Sequence, residues 1–230
     1  MATTSTDQVE KAEREALCDL FLELGPDAPT LCAGWTTGDI AVHLIVCEAR
    51  PHAWLAVPIG DRIGLLDRYF ERLVAKERAR GWEGLVDRVR RGASFGPTRY
   101  QPVRERMMTR EFVIHHEDVR RANGLGVRAG IPAVQEVAWR KLPAFARRML
   151  VVADQNGFEL IHPDGRHRTM KPGAPVVQLT GEPLEQLLYA FGRTSAARVE
   201  VVGDAGALRV RDTSALAALP RVRTGTGSGG

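Results

Sequence analysis

No stretch of the 230-residue chain is apolar for long enough to cross a bilayer: the hydrophobic runs are broken by charge or proline well short of the roughly 18 residues a span needs. No membrane partner is expected. The opening residues, "MATTSTDQVEKAERE", lack a basic head followed by an apolar core, so they do not read as a secretory signal and a cytoplasmic location is expected. Cysteine is scarce. Cys18, Cys32 and Cys47 all fall in the first quarter and none has CxxC spacing, which argues against a disulfide framework and against a structural zinc knuckle. Charge of one sign is not concentrated either. The net charge is +4, but arginines are interleaved with acids, and the densest clusters, "RVRR" at 88–91 and "VRRA" at 119–122, read as solvated helix faces rather than a nucleic-acid surface. Phosphate-loop spacing is missing as well, since "GVRAGIP" and "GEPLEQ" have only the composition of turns. No internal repeat is evident.

What is present is the composition of a soluble globular protein, 44% hydrophobic and 26% charged, long enough for one domain or two smaller ones. Up to about residue 150, apolar residues recur at spacings of three and four in "VEKAEREALCDLFLEL", "DIAVHLIVCEARPHAWL", "LLDRYFERLVAKERARG", "WEGLVDRVRR" and "VRERMMTREFVIHHEDVRRANG". This pattern predicts amphipathic helices in an antiparallel bundle. "GWTTGD" offers an N-cap to the second, and Pro143 should kink or divide the later helix "PAVQEVAWRKLPAFARRML". After residue 150 short strands take over. "MLVVADQNGFELIHPDGRHRTMK" reads as strands turning at "DQNG" and "PDGR", and "APVVQLTG" and "ARVEVVGD" as two more strands around the helix "EPLEQLLYAFGR". The expected class is α+β: a helical part over 1–150, a small α+β part over 151–222 and a flexible tail over 223–230, rich in glycine.

Chemistry concentrates in "REFVIHHEDVRRANG". Glu111 and His115 are four residues apart, so on a helix they project from one face about one turn from each other. A carboxylate and an imidazole so placed can converge on one ion, or can form an ordinary helical ion pair without metal. A third ligand must come from another helix. His43, inside the apolar stretch "DIAVHLIVCEA", is the natural candidate, although a lone histidine there can also be a packed residue with one satisfied nitrogen. Two histidines and a carboxylate are the donor set of a catalytic rather than a closed structural zinc site. Asp39, Glu117 and Asp118 are carboxylates available to hold imidazole N–H groups. His116 points about 100° away from His115, toward substrate or solvent. Cys32 is assigned to structure, having no evident histidine partner in sequence, and Trp35 to an anchor at the start of a helix.

The segments "PTLCAGWTTGDIAVHLIVCEARP" and "EFVIHHEDVRRANG" resemble the DinB-like, mycothiol-dependent maleylpyruvate isomerase superfamily. They look most similar to an actinobacterial metal-binding branch without an assigned reaction, in which a "GWT...DLAAHL" helix and an "E...HHEDVRR" helix recur. The resemblance covers most of the chain. It implies a DinB-like four-helix bundle for the first part and a small domain of sterol-carrier type for the second.

On that resemblance His43, Glu111 and His115 match the family's ligands for a divalent ion, usually zinc. The ion would activate the thiol of mycothiol, and the partners implied are that small thiol and an electrophilic or unsaturated acid. The function implied is a thiol-dependent S-transferase or isomerase; a non-catalytic ligand-binding or partner-binding module is the alternative. Arg193 in "FGRTSA" matches an arginine expected to face the site from the second domain as a catalytic carboxylate-binding group, with Arg50 and Arg120 as alternatives. DinB-like bundles often dimerise, so a homodimer is admitted by resemblance alone.

Overall fold

The computed structural model describes residues 5–49, 75–77, 79–93 and 97–211. Arg50, His52, most of the helix expected over 65–81 and the tail over 223–230 lie outside the described residues.

Helix α1, Thr6–Leu24, opens on a capping box in which the Ser5 side chain accepts from the Gln8 amide while Gln8 reaches back to the Ser5 amide. It ends at Gly25, whose φ of 80° few other residues would adopt. Helix α2, Thr37–Ala49, starts in the same way: the Asp39 carboxylate accepts from the Thr36 amide at 2.9 Å and from its hydroxyl at 3.1 Å. Helix α3, Trp82–Arg91, and the long α4, Gln101–Ala122, follow. Leu17, Phe21, Ile40, Leu44, Val86 and Phe112 from these four helices share one core.

Along α4 the sequence pattern and the structure part company. Amphipathic spacing predicts one covered face, yet every residue from Glu111 to Val119 is buried. The reason is a second layer. Val113 and Ile114, together with Val9 of α1, pack into a different core built by helix α5, Pro132–Met149, helix α6, Pro183–Ala190, and the sheet residues Leu160, Val177 and Leu179. Five of the nine residues from Glu111 to Val119 are ionisable (Glu111, His115, His116, Glu117 and Asp118), and buried charge is tolerated only when paired.

Helix α5 runs without division through Pro143. Proline costs about 3 kcal/mol in a helix interior, and burial of Trp139, Leu142 and Ala146 around it offsets that cost. Strands follow: β1 Leu150–Val152, β2 Gly157–Ile161, β3 His167–Lys171, β4 Val176–Thr180, β5 Glu200–Val202 and β6 Leu208–Val210. The turn at "PDGR" joins β2 and β3 as an antiparallel hairpin, with Gly165 at φ 92°. The turn at "DQNG" forms too, but does not join a paired hairpin. The β2 strand is flanked by β3 and, in parallel, by β4, so β1 pairs instead with β6 in a separate two-stranded sheet. The protein is therefore a mixed helix and sheet structure of the α+β kind. Among the described residues no helix is long and apolar enough to cross a membrane.

Candidate metal centre

The crossing of α2 and α4 brings His43, Glu111 and His115 together. Their donor atoms all lie within 4.8 Å of one another, and all three residues are buried. Glu111 Oε2 stands 3.4 Å from His43 Nε2 and 3.6 Å from His115 Nε2. Well-formed hydrogen bonds of this kind are about 2.7–3.2 Å, so these contacts are long for direct bonds. They suit another geometry. With zinc bonds of about 2.0–2.1 Å, the edge of a tetrahedron of ligands is about 3.3–3.4 Å. The imidazole rings meet edge to face with centroids 4.9 Å apart, and Trp35 packs against His43 at 5.2 Å.

Glu111 and His115 are each held from behind. The carboxylate of Glu111 is divided: Oε2 faces the histidines, while Oε1 accepts from Arg110 Nη2 at 2.6 Å and Nε at 3.0 Å. His115 Nδ1 bonds Asp118 Oδ2 at 2.8 Å. Asp118 in turn receives the fork of Arg193, Nε to Oδ1 at 2.8 Å and Nη2 to Oδ2 at 2.6 Å. Gly192, at φ 84°, turns the chain after α6 where Arg193 follows. Cys32 completes this second ring, its thiol 3.3 Å from Asp118 Oδ2 and receiving Arg193 Nη2 at 3.0 Å. Cys47, one turn beyond His43, sets its sulfur 3.5 Å from His43 Nε2.

The electrostatics follow from these partners. Burial pulls His43 below the usual histidine range, against the opposing pull of Glu111. Burial also opposes the charge on Glu111, but Arg110 and the two histidines outweigh it and hold this carboxyl well below its usual range. His115 is pushed well up: burial works against its cation and is overcome by Asp118, Cys32 and Glu111. Asp118 is likewise lowered despite burial, by His115 and Arg193.

The donor set suits a divalent ion of the zinc type: two imidazoles and one carboxylate, with Asp118 behind one histidine, as zinc-bound histidines usually have. The outer carboxylates expected from sequence divide. Asp118 supports His115, whereas Glu117 binds Arg121 and Arg128, each at 2.6 Å, and Asp39 binds Thr36. His116 does not face solvent; it is buried against Glu13 Oε2 at 2.8 Å. Cys32, read from sequence as lacking a histidine partner, lies with His115 and Asp118 in a compact group whose donors are within 4.8 Å. Only tertiary folding reveals it, because Cys32 and Asp118 are 86 positions apart. Cys47 did leave a local trace, four residues after His43 on the same helical face. Of the arginines, Arg193 reaches the site through Asp118, while Arg120 contacts the Gly126 carbonyl at 3.4 Å and Glu117 at 3.9 Å.

A layered α+β protein with a buried histidine and carboxylate cluster at a helix crossing is thus defined. Its fold is shared by two solved structures, both of mycothiol-dependent maleylpyruvate isomerase, one of them a histidine-to-alanine mutant. Each is 17% identical, with alignments covering 88% of this chain and 93% of the other and TM-scores of 0.54 and 0.53. No family model and no curated protein matches the chain.

Proposed function

We propose that the protein binds a divalent ion, zinc, at His43, Glu111 and His115 and acts as a thiol-dependent transferase or isomerase. Mycothiol is the proposed thiol, and an electrophilic or unsaturated acid the proposed second substrate. The observation that carries the reading is the spacing of three buried donors at 3.4 and 3.6 Å, close to the edges of a zinc tetrahedron. The shared fold with a mycothiol-dependent isomerase supports the choice of thiol and of acid. In this reading the helical half is a DinB-like four-helix bundle and the later half a domain of sterol-carrier type, with α1 to α4 sharing one core in support.

When bound, such an ion supplies Lewis acidity that holds a thiol as its thiolate at neutral pH. The chain's own groups prepare for it. Asp118 accepts a hydrogen bond from His115 Nδ1–H, which leaves Nε2, on the side of Glu111 and His43, as the atom that would meet the ion. Arg193 holds Asp118 in that role and adds positive charge beside the cluster, favourable for an acid substrate. Trp35 closes one side of His43 with apolar surface, which limits water there.

Burial of all three ligand residues favours, as the second reading, a metal-binding module without turnover. Titrating cobalt-substituted protein with mycothiol separates the two. The enzyme reading predicts a new thiolate-to-metal charge-transfer band and turnover of an unsaturated acid in the presence of thiol. A cobalt spectrum indifferent to the thiol would remove the thiol-dependent part.

A further inference from the structure

We propose that Arg110 is a positioning residue for Glu111, allowing that carboxylate to meet the ion through Oε2 alone and so reserving a coordination position for the incoming thiol. The inference rests on the proposed metal centre and deepens it. Arg110 directly precedes Glu111, and successive helical residues do not normally face one another. Here the arginine folds back across its own helix, and its two bonds converge on one oxygen, Oε1.

The reason lies in the second layer. Phe145 of α5 and Phe191, just after α6, stack with centroids 4.0 Å apart and planes 11° from parallel. The Arg110 guanidinium lies over Phe145 at 4.4 Å and within 5.6 Å of Phe191. A planar cation held against two stacked rings presents its N–H edge in a fixed direction. That edge meets Glu111 Oε1, and the carboxylate cannot rotate to offer both oxygens toward the histidines without breaking a part-buried charged pair. With the fork removed, Oε1 is released to join Oε2 on the ion, and the coordination number rises. Phe191 and Arg193 are two residues apart, so one turn of chain steadies Glu111 through Arg110 and His115 through Asp118.

The test uses the visible absorption of cobalt(II) bound to the intact chain, together with zinc affinity from competition with a chelator. Wild type should give the intense bands of a low-coordinate site. Arg110→Gln should weaken those bands as a second carboxylate oxygen binds, and should lower zinc affinity by about 10–100-fold. Phe145→Leu leaves every charge in place but removes the surface on which Arg110 rests, and should shift the spectrum in the same direction by less. It decides the matter if Arg110→Gln does not fold. Wild-type spectrum and affinity in a folded Arg110→Gln, or in Phe145→Leu when that variant decides, would overturn the role of Arg110 while leaving the metal site standing. Failure of wild type to bind cobalt or zinc would overturn the metal site itself, and this inference with it.

Discussion

At the scale of residues, the site depends on which atom of each side chain is already engaged. Glu111 has one oxygen on Arg110 and one toward the histidines, and His115 has one nitrogen on Asp118 and one toward Glu111. Asp118 is the residue on which His115, Arg193 and Cys32 all converge. Asp118→Asn keeps the shape but weakens the acceptor for His115 and removes the charge that pairs with Arg193. Zinc affinity should fall by about 10–100-fold, measured by chelator competition, and an unchanged affinity would remove Asp118 from the account. Glu111 with His115 was legible from helical spacing, and His43 from being a histidine on an apolar face. Arg110 and Cys32 were not. The first acts on its neighbour only because two phenylalanines from other elements fold it back, and the second finds its partners only after the α2 and α4 segments come together.

At the scale of elements, α4 is the helix that both layers use. Its ionisable residues from Glu111 to Asp118 are buried and paired, some within the helix, as His115 is with Asp118, and some with other segments. His116 and Arg128 both bond Glu13 of α1, at 2.8 Å each, and Arg128 also bonds Glu117. Glu13 feels burial that would raise its pKa, but His116 and Arg128 outweigh it and hold the carboxyl below its ordinary 4.5. A depressed carboxylate stabilises the fold above its unfolded pKa and loses that contribution as pH falls through the folded value. Glu13→Gln should therefore cost about 3–5 kcal/mol near pH 7, as breaking a buried pair does. The gap from wild type should narrow in urea melts below pH 4; a gap that stays constant or widens would contradict the assignment. Element identities were mostly legible here, because capping residues, glycines and period carry local signals. The partner of β1 was not, since both neighbours of β2 are set by distant pairing. Nor was the unbroken course of α5, where core burial overrides the proline.

At the scale of the whole molecule, the change of pattern near residue 150 marks the passage from helices to strands, and it is visible in sequence. What no local pattern shows is that Val9, Val113 and Ile114 share a core with the sheet. Periodicity reveals that a face is apolar, not what covers it. This joining of layers carries Arg193 to Asp118 and Phe191 to Arg110, so the site belongs to both halves of the chain. A fold shared at 17% identity speaks for the scaffold alone, so the proposed chemistry rests on particular residues, His43, Glu111 and His115. The most direct measurement is the divalent-metal content of purified protein after exchange against a zinc buffer. The account predicts about one ion per chain in wild type and close to none in His43→Ala and Glu111→Gln. Metal-free wild type, or variants that retain the wild-type content, would contradict it.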